Sequence, residues 1–405
     1  MSMLQKINVF LLMVITFLIP IHHKFIAPII GLWIISSIVL IIRFKRKPQF
    51  KWPIVLIITY YVLLIFGLFW TDNLKVGVFD LEVKMSLFLF PLVMAFFQYR
   101  ENEMKLILKA FYLGLTIGSL FLLGQAAWQY SNTGSVNKFF YAYLSPIIHP
   151  SYLSFYFVIG LAFLLIVLYQ GRIKSSLNKK IAVALVCYFF VFNILILSKI
   201  GIVVATFIVL LFIILFAIQR KKIGIIIIGF SALIVVFFAA YHNSLYIQQR
   251  VVEFSKGLSA KSGNFSKGST GIRIKIWNSS MALIQEKPII GYGTGDVKSV
   301  LRDQYLVDGN LSAYDKQLNA HNQFLQTTIA LGLLGLLLFL SIFIFGIGMG
   351  LKMHNYYLFS FLIISIVFML PESILENQAG TIFFGLFLSL TNQNILFTNK
   401  NTEFE

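Results

Sequence analysis

His321 and Asn322 open a long apolar run, and Arg273 and Trp277 lie upstream of them in a polar stretch. A helix beginning at such a run presents unpaired N–H groups and partial positive charge. That setting suits a neutral imidazole acting as a base, and the same N–H groups suit an anion such as phosphate. A plainer alternative keeps His321 at an interface with Asn322 simply capping the helix. Arg273 and Lys199 are the strongest candidates to hold an anion, Arg273 through its planar fork and Lys199 as a point charge. Ser198-Lys199-Ile200-Gly201 forms a turn between two apolar runs, where a lysine can equally snorkel to an interface. Lys84, after Asp80 and Glu82, has the same two readings. His149-Pro150-Ser151-Tyr152 stands at the mouth of another run, and Glu372 and Glu376 flank a further one. A carboxylate near His321 would orient the ring or accept its proton.

Other chemistries are poorly supplied. There is no HExxH pattern, the histidines are scattered singly, and only the loop acids Asp296, Asp303 and Asp308 could gather a cation. No metal site is expected. The single cysteine, Cys187, permits no disulfide within the chain. Gly291, Gly293 and Gly295 make a tight turn. It lacks the Gly-Lys-Ser/Thr of a phosphate-binding loop and follows no strand, so no nucleotide is expected there.

The elements that must position these residues are membrane-length helices. The chain has 405 residues, 59% hydrophobic and 12% charged, against about 25% charged in a soluble domain, and its mean hydropathy is +0.85. The reading is an all-α polytopic membrane protein with about twelve transmembrane helices. The spans are placed near 7–21, 25–42, 53–70, 83–98, 106–127, 152–169, 181–197, 200–218, 223–241, 323–350, 354–370 and 379–397. Nine fall in an N-terminal part (1–241). A long periplasmic loop with short helices (242–320) follows, then three spans and a short cytoplasmic tail (321–405). The first run has no small-residue cleavage site after it and reads as a retained span. With the N-terminus in the cytoplasm, 18 of the 33 basic residues fall on that side, 5 in the short opposite loops and 10 in the long loop. That distribution puts both termini in the cytoplasm and the long loop outside. It also accounts for the net charge of +18 without nucleic acid. Ionisable residues are nearly absent from mid-span, which favours chemistry at the outer face over transport. Within the loop, Ser255–Gly271 reads as mobile. Ile272–Glu286 reads as an amphipathic helix started by Ser269 or Thr270 and stopped by Pro288, with Arg273, Trp277 and Ser280 on one stripe.

These residues resemble, in order and topology, the O-antigen ligase and O-antigen polymerase superfamily. The likeness rests on the order of spans, the long outward loop before the last three, and four local motifs. These are His149-Pro-Ser-Tyr152, Ser198-Lys199-x-Gly201, Arg273-x3-Trp277 with Pro288-Ile-Ile-Gly291-x-Gly293, and Ala320-His321-Asn322-x2-Leu325 with Gly332 and Gly335. The family usually has Ser-Arg where this chain has Ser198-Lys199, and often a glutamate where it has Thr327, Thr328 and Ala330.

The resemblance implies an inverting, metal-independent glycosyltransferase of the bacterial inner membrane. It would move a glycan from an undecaprenyl-diphosphate donor to an acceptor sugar at the periplasmic face, in contact with the lipid bilayer. Lipid diphosphate is itself the leaving group, so no cofactor and no nucleotide is implied. Arg273 and Lys199 would neutralise the diphosphate, and His321 would orient or deprotonate the acceptor hydroxyl. Lys84, His149, Tyr152, Trp277, Asn322, Glu372 and Glu376 would line the substrate site. An O-antigen ligase with a lipid A–core acceptor is the first expectation. A polymerase extending the glycan on its carrier is the second, and a lipid-linked glycan flippase the third.

Overall fold

The structure is a computed structural model that describes residues 2–22, 25–243, 248, 249, 252 and 269–393. Among these residues every regular element is helical. In chain order they are α1 (Met3–Leu18), α2 (Ile26–Arg43), α3 (Trp52–Phe66), α4 (Leu74–Lys84), α5 (Ser86–Met94), α6 (Glu101–Thr133), α7 (Tyr141–Leu144), α8 (Pro150–Tyr169) and α9 (Ser176–Ile196). There follow α10 (Lys199–Arg220), α11 (Gly224–Asn243), α12 (Ser269–Glu286), α13 (Val297–Val307), α14 (Leu311–Asp315), α15 (Gln323–Lys352), α16 (Tyr356–Met369) and α17 (Gln378–Thr391).

Seven helices are long and apolar enough to cross a membrane, among the described residues: α2, α3 with its 3-10 extension to Trp70, α6, α8, α9, α10 and α15. This is a multi-pass membrane protein. The expected twelve spans do not all reach that length. Helices α1, α16 and α17 are apolar but shorter. The expected span 83–98 is divided at Met85 into α4 and the nine-residue α5, about 13 Å long at 1.5 Å per residue. Lys84 explains the break, because its charge is drawn to the carboxylates described below and not to the apolar face of α5. The amphipathic helix expected over 272–286 is α12. The Ser255–Gly271 segment lies outside the described residues as far as position 268.

The chain forms two compact units, one of residues 1–121 and 276–405, the other of residues 122–275. In the first, α17 is buried from Ala379 to Thr391 and packs on α5. Phe361, Phe383, Phe384 and Phe387 stack with Phe111 and Phe343 to form the aromatic core. Along α15, Phe339, Ile342 and Phe343 face this core, whereas Leu333, Leu337 and Ile344 are exposed. An apolar outward face is what a lipid-facing helix requires. In the second unit α8 packs on α9 and α10. Ser154 Oγ donates to Asn193 Oδ1 at 2.6 Å, beside Gly201.

Helix α15 is broken and splinted. Gly332 has φ 63° and ψ −162°, a conformation nearly closed to residues with a Cβ, and the helical hydrogen-bond ladder stops there. The Pro288–Gly293 turn repairs it. Leu333 and Leu334 donate their N–H groups to Pro288 and Ile289, while Ile329 and Ala330 accept from Tyr292 and Gly293. Freed backbone groups at this depth must find partners in protein, and this turn supplies four bonds. A Cβ at Gly291 would strike the backbone of Ile329 and Ala330. The glycine turn is therefore architecture.

Candidate functional site

His321 sits immediately before α15 in the left-handed region, φ 45°, a conformation that costs a non-glycine residue energy unless its surroundings fix it. Both backbone groups of His321 are tied. Its N–H donates to Asn319 Oδ1 at 3.0 Å, and its carbonyl accepts from Trp277 Nε1 at 3.3 Å. Asn322 caps α15, its Oδ1 accepting from Phe324 and Leu325 at 2.9 and 3.1 Å. The expected cap is thus Asn322, with His321 the residue before it.

The loop between α16 and α17 closes over this helix start. His321 Nδ1 lies 3.3 Å from Glu372 Oε2, and Glu372 is only 7% exposed against 22% for the ring. Asn322 N–H donates to Ser373 Oγ at 3.1 Å. Gln323, fully buried, accepts from Leu375 N–H at 2.7 Å and donates to Glu376 Oε1 at 3.3 Å. Three consecutive residues, 321 to 323, hold this loop, Gln323 at two points.

Glu376 turns the other way, to Lys84. Lys84 Nζ is 2.9 Å from Glu376 Oε2 and 2.5 Å from Asp80 Oδ2, and its side chain is 5% exposed. A buried cation needs such partners. The Asp80 carboxyl is pushed up to about 6 by burial, with Glu376 adding to the rise and Lys84 opposing it. Tyr60 meets Thr327 at 3.1 Å on the same side of α15. Two polar groups therefore adjoin the start of α15, His321 with Glu372 and Gln323 with Glu376, Lys84 and Asp80.

The first unit thus gathers Lys84, Trp277, His321, Asn322, Glu372 and Glu376. The remaining candidates belong to the second unit. His149 is the N-cap of α8, its Nδ1 accepting from Ser151 N–H at 3.3 Å, with its ring edge-on to Tyr152 at 6.1 Å. Ser198 caps α10, so Lys199 is the first residue of that helix. Arg273 lies on α12, one turn before Trp277. The loop acids are otherwise engaged. Asp296 accepts from the N–H groups of Asp72 and Asn73 at 2.7 and 2.9 Å, Asp303 binds Arg302, and Asp308 binds Ser279 and Gln304.

Gln323, Ser373 and Asp80 carry weight that sequence reasoning did not give them. Gln323 had a signal, being an amide directly after a capping asparagine at the start of an apolar run. Ser373 had none, because its role depends on a loop fifty residues away.

Residues 181–340 match the family model described as O-Antigen ligase. That segment is similar to O-antigen ligases. A protein of Rickettsia conorii named "Putative polysaccharide ligase" is 38% identical over 76 residues, 18% of this chain and 18% of that protein, so the chain spans under a fifth of the relative's length. The matched segment contains Lys199, Arg273, Trp277, His321 and Asn322. Lys84, His149, Tyr152, Glu372 and Glu376 lie outside its limits, so the carboxylate facing His321 comes from beyond the matched segment.

Proposed function

We propose that the protein transfers a glycan from an undecaprenyl-diphosphate carrier to an acceptor sugar at the periplasmic face of the inner membrane, as an O-antigen ligase with lipid A–core as acceptor. The observation that carries this reading is the His321–Glu372 pair at the capped start of α15, beside a segment that matches the O-antigen ligase family model and ends within α15. Glu372 accepts from His321 Nδ1–H, which leaves Nε2 unprotonated and facing the acceptor. The acceptor hydroxyl oxygen attacks the anomeric carbon as its proton passes to Nε2. The bond from that carbon to the diphosphate oxygen breaks, and its electron pair leaves with the lipid diphosphate. Displacement from the opposite side inverts the anomeric configuration. Arg273 and Lys199 neutralise the charge that grows on the leaving group, the role a divalent cation plays in many other transferases.

Reconstitution with a lipid-diphosphate glycan and a lipid A–core acceptor, with and without chelator, tests the scheme. Transfer that survives chelation and yields the inverted anomer is expected. Retention of configuration would rule out direct displacement. Deleting the gene separates the two acceptors: loss of a ligase leaves long chains on the carrier, whereas loss of a polymerase leaves single repeat units.

A further inference from the structure

Two adjoining cavities open at the far end of the first unit, where α2, α5 and α17 finish and α3 begins. They have volumes of about 110 and 200 Å³, well above the ~10–15 Å³ that admits one water. Lys51 lines the first, Arg46 and Lys47 line the second, and both share Gln49, Phe97 and Gln98. Gln98 Nε2 donates to Gln49 Oε1 at 2.6 Å, bridging the two loops. The Arg46 guanidinium lies over the Phe97 ring at 4.5 Å, a contact that fixes its direction. Lys51 Nζ donates to Asn392 O at 2.7 Å, and burial pushes its ammonium down to about 8. No Asp or Glu lines either cavity among the described residues.

Two residues that line the first cavity each carry a buried side-chain atom without a partner. Asn392 Oδ1 and Gln393 Nε2 are buried and make no hydrogen bond, and the residues are 5% and 8% exposed. Buried polar atoms are nearly always satisfied, so this orphan acceptor and this orphan donor would each gain a partner when their side chains turn to a ligand with both capacities. The three cations set its charge.

The geometry points to a binding site for a net-anionic phosphate, presented by a phospholipid headgroup that also carries a hydroxyl. Arg46 and Lys51 take the phosphate oxygens, Gln393 Nε2 donates to a further oxygen, and Asn392 Oδ1 accepts from the hydroxyl. Lys47, exposed at the rim, adds longer-range attraction that salt screens. Basic pockets between helix ends at a membrane surface are suited to such headgroups. The site is independent of the glycosyl-transfer reading. Helix α17, 14 residues long, separates it from the His321 end by about 20 Å at 1.5 Å per residue.

The test is thermal unfolding of the full chain in neutral detergent, titrated with dioctanoyl phosphatidylglycerol, dioctanoyl phosphatidylcholine or inorganic phosphate. A ligand of the folded state raises Tm in a saturable way. Phosphatidylglycerol is expected to do so and phosphatidylcholine, whose own cation cancels the phosphate charge, is not. Lys51→Gln and Arg46→Gln should each weaken the phosphatidylglycerol response about tenfold, the loss of one charge-assisted contact, and Lys51→Arg should keep it. A response to inorganic phosphate that fails in the same variants assigns the site to free phosphate; a response to the lipid alone assigns it to the headgroup. Equal responses to both lipids, or wild-type responses from both glutamine variants, would overturn the proposal. Should Lys51→Gln not fold, Arg46→Gln, at the more open cavity, carries the same test.

Discussion

His321 Nδ1 faces Glu372 Oε2 across 3.3 Å, joining the residue before α15 to the loop after α16. His321 is held at three points, by Asn319 and Trp277 on its backbone and by Glu372 on its ring. Under the proposed reaction Glu372 is a positioning residue. Glu372→Gln should lower kcat by about 10²- to 10⁴-fold, the range for a general base and its orienting partner, with little change in KM. His321→Ala should lose at least as much. Steady-state transfer assays on folded variants check both, and a wild-type kcat in Glu372→Gln would refute the pairing's role.

Trp277 acts one step further out. Trp277→Phe keeps the ring volume and removes the 3.3 Å bond to the His321 carbonyl, so His321 is free to leave its left-handed conformation. A net hydrogen bond is worth about 1 kcal/mol, which predicts roughly a fivefold loss of kcat and a small fall in Tm. An unchanged kcat would show that Asn319 and Glu372 suffice.

Lys84 holds two carboxylates. Lys84→Met leaves Asp80 and Glu376 facing each other without a cation, and breaking a buried ion pair in this way costs about 3 kcal/mol or more. The triple variant Lys84→Met, Asp80→Asn, Glu376→Gln removes the stranded charge and should recover much of that loss. Thermal unfolding in detergent compares the two. Equal Tm values would mean that the cluster's charge does not matter to the fold.

Asp80 gives stability an unusual pH dependence. Its folded pKa, about 6, lies above the ordinary value of 3.8, so the folded state binds this proton more tightly than the unfolded state. Stability from this group is therefore fully present below about 3.8 and declines as pH rises towards about 6. Ordinary salt-bridged aspartates behave oppositely. Asp80→Asn should flatten the profile across that window, and Tm measured against pH reads the difference. A wild-type profile that rises there and is unaltered in Asp80→Asn would contradict the assignment.

Gly332 is the position where α15 breaks. Gly332→Ala forces a side chain into φ 63° and against the backbone of Ile289, so it should destabilise by more than about 1 kcal/mol. Gly348, in the same helix with open space around it, is the control, where alanine should be neutral or stabilising. Parallel Tm measurements decide the matter.

Residue types and periodicity alone determined that this chain is helical and membrane-embedded, because apolar runs of such length leave no other stable solution for the backbone. They also marked His321, Arg273, Lys199 and the two glutamates as the chain's chemical resources, and located α12 from its polar–apolar alternation and the Pro288 stop. Tertiary structure decided the partnerships. Glu372 and Glu376 stand four residues apart and look equivalent in sequence, yet one faces His321 and the other Lys84, since the 3-10 turn at Ile374–Glu376 points them in different directions. The expected span 83–98 failed as a single helix because Lys84 belongs to α4, with one charge partner, Asp80, on that helix and the other, Glu376, in the loop before α17. The break in α15 was invisible to hydropathy. An apolar run reads the same whether its backbone bonds continue or are replaced by those of Pro288–Gly293, for side chains carry the hydropathy and distant backbone groups supply the repair.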